Sequence, residues 1–115
     1  MEIRLIVITT TDTQKLADFY GLLGLTFAQH RRGSSPAHYS ATIENALLEI
    51  YPLEKGQTEA DKNLRLGFNI ENFDAVVRTL KELQVDFSTE PTQTEDGYMT
   101  VISDPDGRCI ELYRK

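Results

Sequence analysis

The amino-acid sequence predicts an α+β fold in which two βαβββ modules pair into a cup-shaped mixed sheet, with the helices on the outside. The main observation is an internal repeat: when Leu5 is placed on Arg65, most apolar positions of the first half fall on apolar positions of the second. Both halves also end alike, because residues 48–51 (LEIY) align with residues 110–113 (IELY). Strand-like and helix-like patterns follow one another in the same order in each half.

The first module is predicted to span residues 1–52. Residues 3–9 are rich in β-branched side chains and indicate a strand. Asp12 then stands where a helix N-cap is expected, and Gly24 where the helix ends. Between them, apolar side chains recur at three- and four-residue spacing, as on one face of a helix: Leu16, Phe19, Tyr20 and Leu23. Short strands are predicted over residues 25–32, 37–43 and 46–51, separated by turn-forming residues.

The second module, residues 64–115, repeats this order. A strand is predicted over residues 64–70, followed by a helix capped by Asn72. The apolar face of that helix comprises Phe73, Val76, Val77, Leu80 and Leu83. Strands are predicted near residues 85–90, 98–103 and 108–114. Residues 53–63 have no apolar periodicity and are interpreted as a linker between the modules.

Composition and charge exclude several classes of function. The chain has 115 residues and a formal net charge of −6, which disfavours binding to a nucleic-acid backbone; its one dense basic spot is residues 30–32. The longest aliphatic run, residues 5–8, is far shorter than a membrane-spanning helix requires. The start of the chain lacks the features of a secretion signal, so we expect a cytoplasmic protein. The single cysteine, Cys109, forms no internal disulfide.

Two segments carry a family likeness that covers essentially the whole chain. Residues 19–25 (FYGLLGL) resemble the FYxxLGf segment of the vicinal oxygen chelate superfamily, and residues 104–112 (DPDGRCIEL) resemble its DPDGxxIEL segment. That superfamily includes glyoxalase I, extradiol dioxygenases, fosfomycin resistance proteins and bleomycin resistance proteins. The resemblance implies paired βαβββ modules, a small-molecule site in the cup between them, and a homodimer.

Metal-dependent members of the superfamily take ligands from the first and last strands of each module, usually histidine and glutamate. The resemblance maps these four positions onto Leu5, Glu49, Arg65 and Glu111. Leucine has no lone pair to donate, and a guanidinium supplies donors only, so neither replaces a histidine ligand. We therefore expect no metal cofactor, with Arg65 instead hydrogen-bonded to Glu49, Glu111 or both.

The expected function is the binding of a small organic molecule in the cup, as in the bleomycin resistance proteins. Strand alternation places Glu49 and Glu111 on the cup face together with two aromatic side chains, Tyr51 and Tyr113, that offer apolar contact. Arg65 and Asn69 are expected to orient the ligand, while the two glutamates balance charge. The acidic total favours a cationic ligand.

Some alternatives stay open. His38 either binds a ligand, acts as a general acid or base, or is only a partly solvated strand histidine. Tyr98 is a further candidate for stacking on a planar ligand. The protein is alternatively a metal-dependent lyase or dioxygenase. In that case Glu49 and Glu111 bind a divalent ion, and His38 or waters supply its other ligands. A third possibility is a non-catalytic scaffold whose cup is filled by its own side chains.

Overall fold

The computed structural model describes residues 1–31, 33–34 and 36–115. Contacts within the chain divide it into two units, residues 1–21 with 25–61 and residues 22–24 with 62–115. Each unit contains one four-stranded mixed sheet, on which a helix packs. The βαβββ order predicted for each half is confirmed. In the described part of the chain, neither helix has the length and apolar character needed to cross a bilayer.

The first unit contains five elements in the predicted order. They are β1 (Leu5–Thr10), α1 (Thr13–Leu22), β2 (Ala28–His30), β3 (His38–Ile43) and β4 (Ala46–Pro52). The sheet order is β1-β4-β3-β2, with β1 parallel to β4 and the other pairs antiparallel. The strand predicted over residues 25–32 is shorter than expected, and Arg32 lies outside the described residues.

The second unit repeats the plan. Its elements are β5 (Leu66–Ile70), α2 (Phe73–Glu82), β6 (Phe87–Thr94), β7 (Gly97–Ser103) and β8 (Cys109–Arg114). The sheet order is β5-β8-β7-β6, and the central strand β8 runs parallel to β5. Strand β6 extends four residues beyond the predicted end, to Thr94, through two shifts of register against β7. Such shifts let an edge strand continue past a residue such as Pro91 that has no N–H to donate.

Alternate residues of β4 and β8 are buried, as the predicted faces require, whereas four consecutive residues of β7, residues 99–102, are buried. In the first unit, the buried members of β1 and β4 are Ile8, Thr10, Leu48 and Ile50, and α1 contributes Leu16, Ala17, Phe19 and Tyr20. In the second unit, Ile70, Ile110 and Leu112 are buried together with Phe73, Val77 and Leu80 of α2. The residues between them, such as Glu49 and Glu111, are more exposed and lie on the opposite face of each sheet.

The two helices begin in different ways. The Asp12 carboxylate accepts a hydrogen bond from the backbone N–H of Lys15 at 3.1 Å, so it caps α1 as predicted. The prediction that the Asn72 side chain caps α2 is wrong, because that side chain makes no capping hydrogen bond. Its backbone is in the left-handed conformation (φ 56°, ψ 38°), which asparagine tolerates better than most residues.

The segment predicted as a linker is attached to the first unit. Gln57 Nε2 donates a hydrogen bond to Thr9 Oγ1 at 2.8 Å, and Gln57 Oε1 accepts one from the backbone N–H of Glu54 at 2.9 Å. Thr9 belongs to β1, so these two bonds hold a turn of the linker beside the end of that strand.

Candidate functional site

Apart from Tyr98, the residues predicted to bind the ligand belong to the sheet faces turned away from the helices. They lie on β3 (His38), β4 (Glu49 and Tyr51), β5 (Asn69) and β8 (Glu111 and Tyr113), or just before β5 (Arg65). We call these sheet faces the first face, in the first unit, and the second face, in the second unit. The first face includes Leu5, Val7 and Thr9 of β1, Leu47, Glu49 and Tyr51 of β4, and His38 and Ser40 of β3. The second face includes Gly67 and Asn69 of β5, Arg65 immediately before β5, and Cys109, Glu111 and Tyr113 of β8.

On the second face, Glu111 is hydrogen-bonded through both carboxylate oxygens. Arg65 Nε donates to Oε2 at 2.6 Å, and the Tyr113 hydroxyl donates to Oε1 at 2.6 Å. The guanidinium side chain is 57% exposed and the glutamate side chain 23% exposed. The predicted pairing of Arg65 with a glutamate is thus found with Glu111, and the hydroxyl of Tyr113 completes the group.

These hydrogen bonds shift the pKa values of Glu111 and Tyr113 in opposite directions. The hydrogen bond from Tyr113, followed by that from Arg65, lowers the pKa of Glu111, because both stabilise the carboxylate. The same bond to Glu111 raises the pKa of Tyr113, since the phenol is held in its donating form beside a negative charge. The second face therefore presents a self-neutralised acid and a guanidinium that extends toward solvent.

Two further positions shape the second face. Asn69 lies directly opposite Tyr113 across the β5–β8 pair and is exposed. Gly67 lies opposite Glu111, and a Cβ built there would stand 3.7 Å from Glu111 Cβ, an ordinary contact distance. Residue 67 therefore places no side chain beside Glu111, whereas the equivalent residue of the first face, Val7, places its side chain beside Glu49.

On the first face, His38 stacks on Tyr51 with ring centroids 4.2 Å apart and an interplanar angle of 6°. His38 Nε2 lies 3.7 Å from Glu49 Oε2, which is beyond hydrogen-bond distance. The imidazole is 6% exposed, so it is not the partly solvated strand histidine considered above. Its Nδ1 is buried without a hydrogen-bond partner among the described residues.

His30 is a neighbour that the sequence reasoning missed. It lies directly opposite His38 across the β2–β3 pair, with ring centroids 5.6 Å apart. The signal was present in the sequence, because one histidine precedes and the other follows the predicted turn over residues 33–36, where the two strands of a hairpin lie side by side. The three rings of His30, His38 and Tyr51 therefore form a row across β2, β3 and β4.

Tyr98 lies on neither the first face nor the second face. Its ring packs against Phe73 in an edge-to-face contact, with centroids 5.7 Å apart, and Arg114 lies over it at 4.1 Å. The reason is strand alternation: Met99 lies opposite Tyr113, so its neighbour Tyr98 points to the helix side of β7. The prediction that Tyr98 stacks on a ligand is therefore wrong.

The residues at the four inherited metal positions do not fit a divalent ion. Leu5 offers no donor atom, and Arg65 occupies one oxygen of Glu111 with its own N–H. Within the ranges that the structure describes, no three His, Cys, Asp or Glu side chains are grouped so as to hold a metal. At the two positions that the resemblance assigns to metal ligands in the second module, Arg65 and Glu111 form an ion pair.

The DPDG motif proves to be a buried charge network in the turn between β7 and β8. The Arg108 side chain is fully buried and contacts Asp104 Oδ2 at 3.1 Å and Asp106 Oδ2 at 2.9 Å. Asp104 Oδ1 also accepts the backbone N–H groups of Asp106 and Arg108. Burial alone lowers the pKa of Arg108, but the hydrogen bonds that its guanidinium donates to both carboxylates outweigh burial, and the pKa is raised. The motif therefore supports the fold.

Comparison with solved structures places the fold among known proteins. The antibiotic-binding protein TnmS3 from Streptomyces sp. CB03234 superposes with a TM-score of 0.74 at 24% identity, covering 99% of this chain and 95% of that one. A glyoxalase/dioxygenase from Nostoc punctiforme gives a TM-score of 0.75 at 22% identity, covering 96% and 88%. The oxidase ChaP-H2 gives 0.78 at 16% identity, covering 100% and 94%. At these identities the likeness concerns the fold alone.

A family model settles the relationship that the two sequence motifs indicated. No curated protein matches the sequence significantly. The model of the glyoxalase/bleomycin resistance protein/dioxygenase superfamily, in contrast, matches residues 2–112, nearly the whole chain. The protein therefore belongs to the glyoxalase/bleomycin resistance protein/dioxygenase superfamily.

Proposed function

We propose that the protein binds a small organic molecule on the helix-free faces of its sheets and does so without a metal ion. The observation that carries the proposal is the Arg65–Glu111 pair, whose 2.6 Å contact places a fixed positive charge at a position where metal-dependent relatives need a ligand. A cation added there has to compete with the guanidinium for the same carboxylate. TnmS3, which shares the fold, is an antibiotic-binding protein, and this supports binding as the function.

The proposed roles follow the contacts of each face. Tyr51 and Tyr113 supply aromatic surface, and both are half-buried, so part of each ring stays accessible. Asn69 and the terminal nitrogens of Arg65 supply polar contacts on the second face. His38 and Glu49 complete the first face beside Tyr51. No bond of the ligand has to be broken for this function, so no catalytic residue is assigned.

Elemental analysis of purified protein tests the metal-free part. We expect manganese, iron, nickel and zinc to be present at far less than one equivalent, both as isolated and after incubation with each ion and gel filtration. Near-stoichiometric metal that is lost in Glu49→Gln or Glu111→Gln would overturn the proposal in favour of a metal-dependent lyase or dioxygenase.

A thermal-shift screen tests the binding part. A compound that binds only the folded protein must raise its melting temperature. We expect at least one class of aromatic compound to give a concentration-dependent rise that is reduced by Tyr51→Ala or Tyr113→Ala. If no compound in a chemically broad library shifts the melting temperature, the scaffold alternative is supported and the binding function is rejected.

Dimer formation and a cytoplasmic setting are part of the same proposal. The dimer is the assembly that the resemblance to the superfamily implies, formed by two copies of the chain through a self-complementary surface. Light scattering after gel filtration should give about twice the chain mass of 13.1 kDa. A mass equal to that of one chain over the whole concentration range contradicts the dimer. The single cysteine, which forms no internal disulfide, suits a reducing compartment.

A further inference from the structure

The two glutamates related by the internal repeat, Glu49 and Glu111, differ in how their carboxylates are satisfied. Glu111 accepts hydrogen bonds at both oxygens, from Arg65 and Tyr113. In the first unit the position equivalent to Arg65 is Leu5, which has nothing to donate. The tyrosine equivalent to Tyr113 is Tyr51, whose ring is stacked on His38.

Glu49 is consequently a carboxylate without a hydrogen bond from the described residues. Its nearest charged or chargeable neighbour is His38, with Nε2 3.7 Å from Oε2. The glutamate side chain is only 18% exposed, so much of its surface is removed from water. A partly desolvated carboxylate gains most from a charged donor, because charge-assisted hydrogen bonds are about twice as strong as neutral ones.

The surroundings of Glu49 indicate what else the ligand must carry. Val7 lies directly across the β1–β4 pair from Glu49 and is 46% exposed. Leu47 precedes Glu49 by two residues on the same face of β4 and is 40% exposed, and Leu5, opposite Leu47, is 50% exposed. One side of the carboxylate is therefore an apolar surface that spans two neighbouring strands, and the other carries the stacked rings of His38 and Tyr51.

We propose that Glu49 is the ligand-recognising carboxylate of this protein and that its ligand is an organic cation, a protonated amine attached to an apolar, ring-containing body. The ammonium group donates to Glu49, and the body covers Val7 and Leu47. This inference rests on the proposed binding function and adds the class of ligand and the residue that selects it. The second face does not hold the ammonium group, because Arg65 already neutralises Glu111 and repels a cation. The remaining N–H groups of Arg65 are left to contact acceptor atoms of the ligand.

Three probes that share one ring system test the charge requirement on the native protein. They are naphthylmethylamine, naphthalenemethanol and naphthoate, and the naphthalene ring is long enough to cross two strands about 4.8 Å apart. Calorimetric titration should show the amine binding about tenfold more tightly than the alcohol, as one charge-assisted hydrogen bond gives, and naphthoate binding most weakly. Equal affinities for the amine and the alcohol, or tighter binding of naphthoate, would overturn the proposal.

The variants Glu49→Gln and Glu111→Gln form a matched pair, because each removes one negative charge from an equivalent position. Glu49→Gln should weaken the amine about tenfold and leave the alcohol unchanged, whereas Glu111→Gln should not weaken the amine. Equal effects of the two variants, or no effect of Glu49→Gln, contradict the assignment. If other compounds from the thermal-shift library bind while the amine shows no preference, this inference fails and the binding function stands; if nothing binds, both fail.

Discussion

At the scale of single residues, function depends on which neighbour each polar side chain has. Glu49 and Glu111 are the same residue type at equivalent places in a repeated sheet, yet only Glu111 meets a guanidinium and a phenol. Both partners of Glu111 were candidates from the sequence. The identity of its first partner follows from β5 and β8 being adjacent, which brings residue 65 beside the start of β8.

Replacing Tyr113 by Phe should raise the pKa of Glu111, because the hydrogen bond from the phenol is the largest cause of its lowering. The folded-state pKa of Glu111 lies below its unfolded-state value, so these contacts stabilise the fold above the unfolded-state pKa. That stability is lost as the pH falls through the folded-state pKa.

A titration of the Glu111 carboxyl carbon by NMR measures the change directly. Tyr98→Phe is the control, because the Tyr98 ring contacts Phe73 and Arg114 and takes no part in the Glu111 hydrogen bonds that the structure shows. An unchanged titration midpoint in Tyr113→Phe would show that the hydroxyl does not hold the carboxylate in solution.

At the scale of elements, each of the two helices of the repeat has a residue with positive φ just beyond its end, but the residue types differ. Gly24, two residues beyond the end of α1, has φ 116°, and Gln84, two residues beyond the end of α2, has φ 61°. The backbone N–H of Gln84 donates to the carbonyl of Lys81, and that of Val85 to the carbonyl of Leu80, both at 3.0 Å. This is the hydrogen-bond pattern of a Schellman motif, which favours glycine at the left-handed position.

Gln84→Gly should therefore stabilise the protein by about 1 kcal/mol, since a left-handed backbone costs a residue with a Cβ about this much. Urea denaturation of the variant should show a higher midpoint with an unchanged slope. Gly24→Ala is the mirror-image control and should lower the midpoint. A lower midpoint for Gln84→Gly would mean that its side chain contributes more than the backbone conformation costs.

The turn between β7 and β8 depends on the buried guanidinium of Arg108. Arg108→Met should destabilise the fold by about 3–5 kcal/mol, because it leaves the fully buried carboxylate of Asp104 without its positive partner. Lys115→Met is the control: it removes a surface ion pair with Glu71 at 3.3 Å and should cost less than about 1 kcal/mol. Urea denaturation measures both, and similar losses in the two variants would contradict the buried network.

At the scale of the whole molecule, two copies of one topology carry different chemistry. The equivalent positions hold Leu5 and Arg65, Val7 and Gly67, and His38 and Met99. The first face combines an apolar surface with a carboxylate that accepts no hydrogen bond from the described residues, whereas the carboxylate of the second face is paired with a guanidinium. The net charge of −6 adds a long-range attraction for cations to this local difference.

Salt should therefore weaken the binding of naphthylmethylamine more than that of naphthalenemethanol. Raising sodium chloride from about 0.02 M to about 0.5 M shortens the screening length several-fold, which reduces the attraction of the protein for a cation but not for a neutral compound. Calorimetric titrations at the two concentrations should show a several-fold loss of affinity for the amine alone. Equal losses for both probes would mean that charge has no part in the binding.

Four features are predictable from the amino-acid sequence alone: the repeat, the order of the elements, the Asp12 cap and the faces of β4 and β8. Each depends on periodicity or spacing along a short stretch, which local backbone geometry converts directly into structure. The loss of donor atoms at residues 5 and 65 was equally readable, because it follows from residue type alone.

Contacts between side chains that are distant in the sequence, in contrast, are not predictable from residue type or spacing. The pairing of Arg65 with Glu111, the stacking of His38 on Tyr51 and the placement of Tyr98 beside Phe73 all depend on the register between strands that are distant in sequence. A shift of one residue in that register moves every side chain of a strand to the other face. The left-handed backbone of Asn72 likewise arises where the chain turns from β5 into α2, so residue type predicted a cap and the geometry of the turn prevented it.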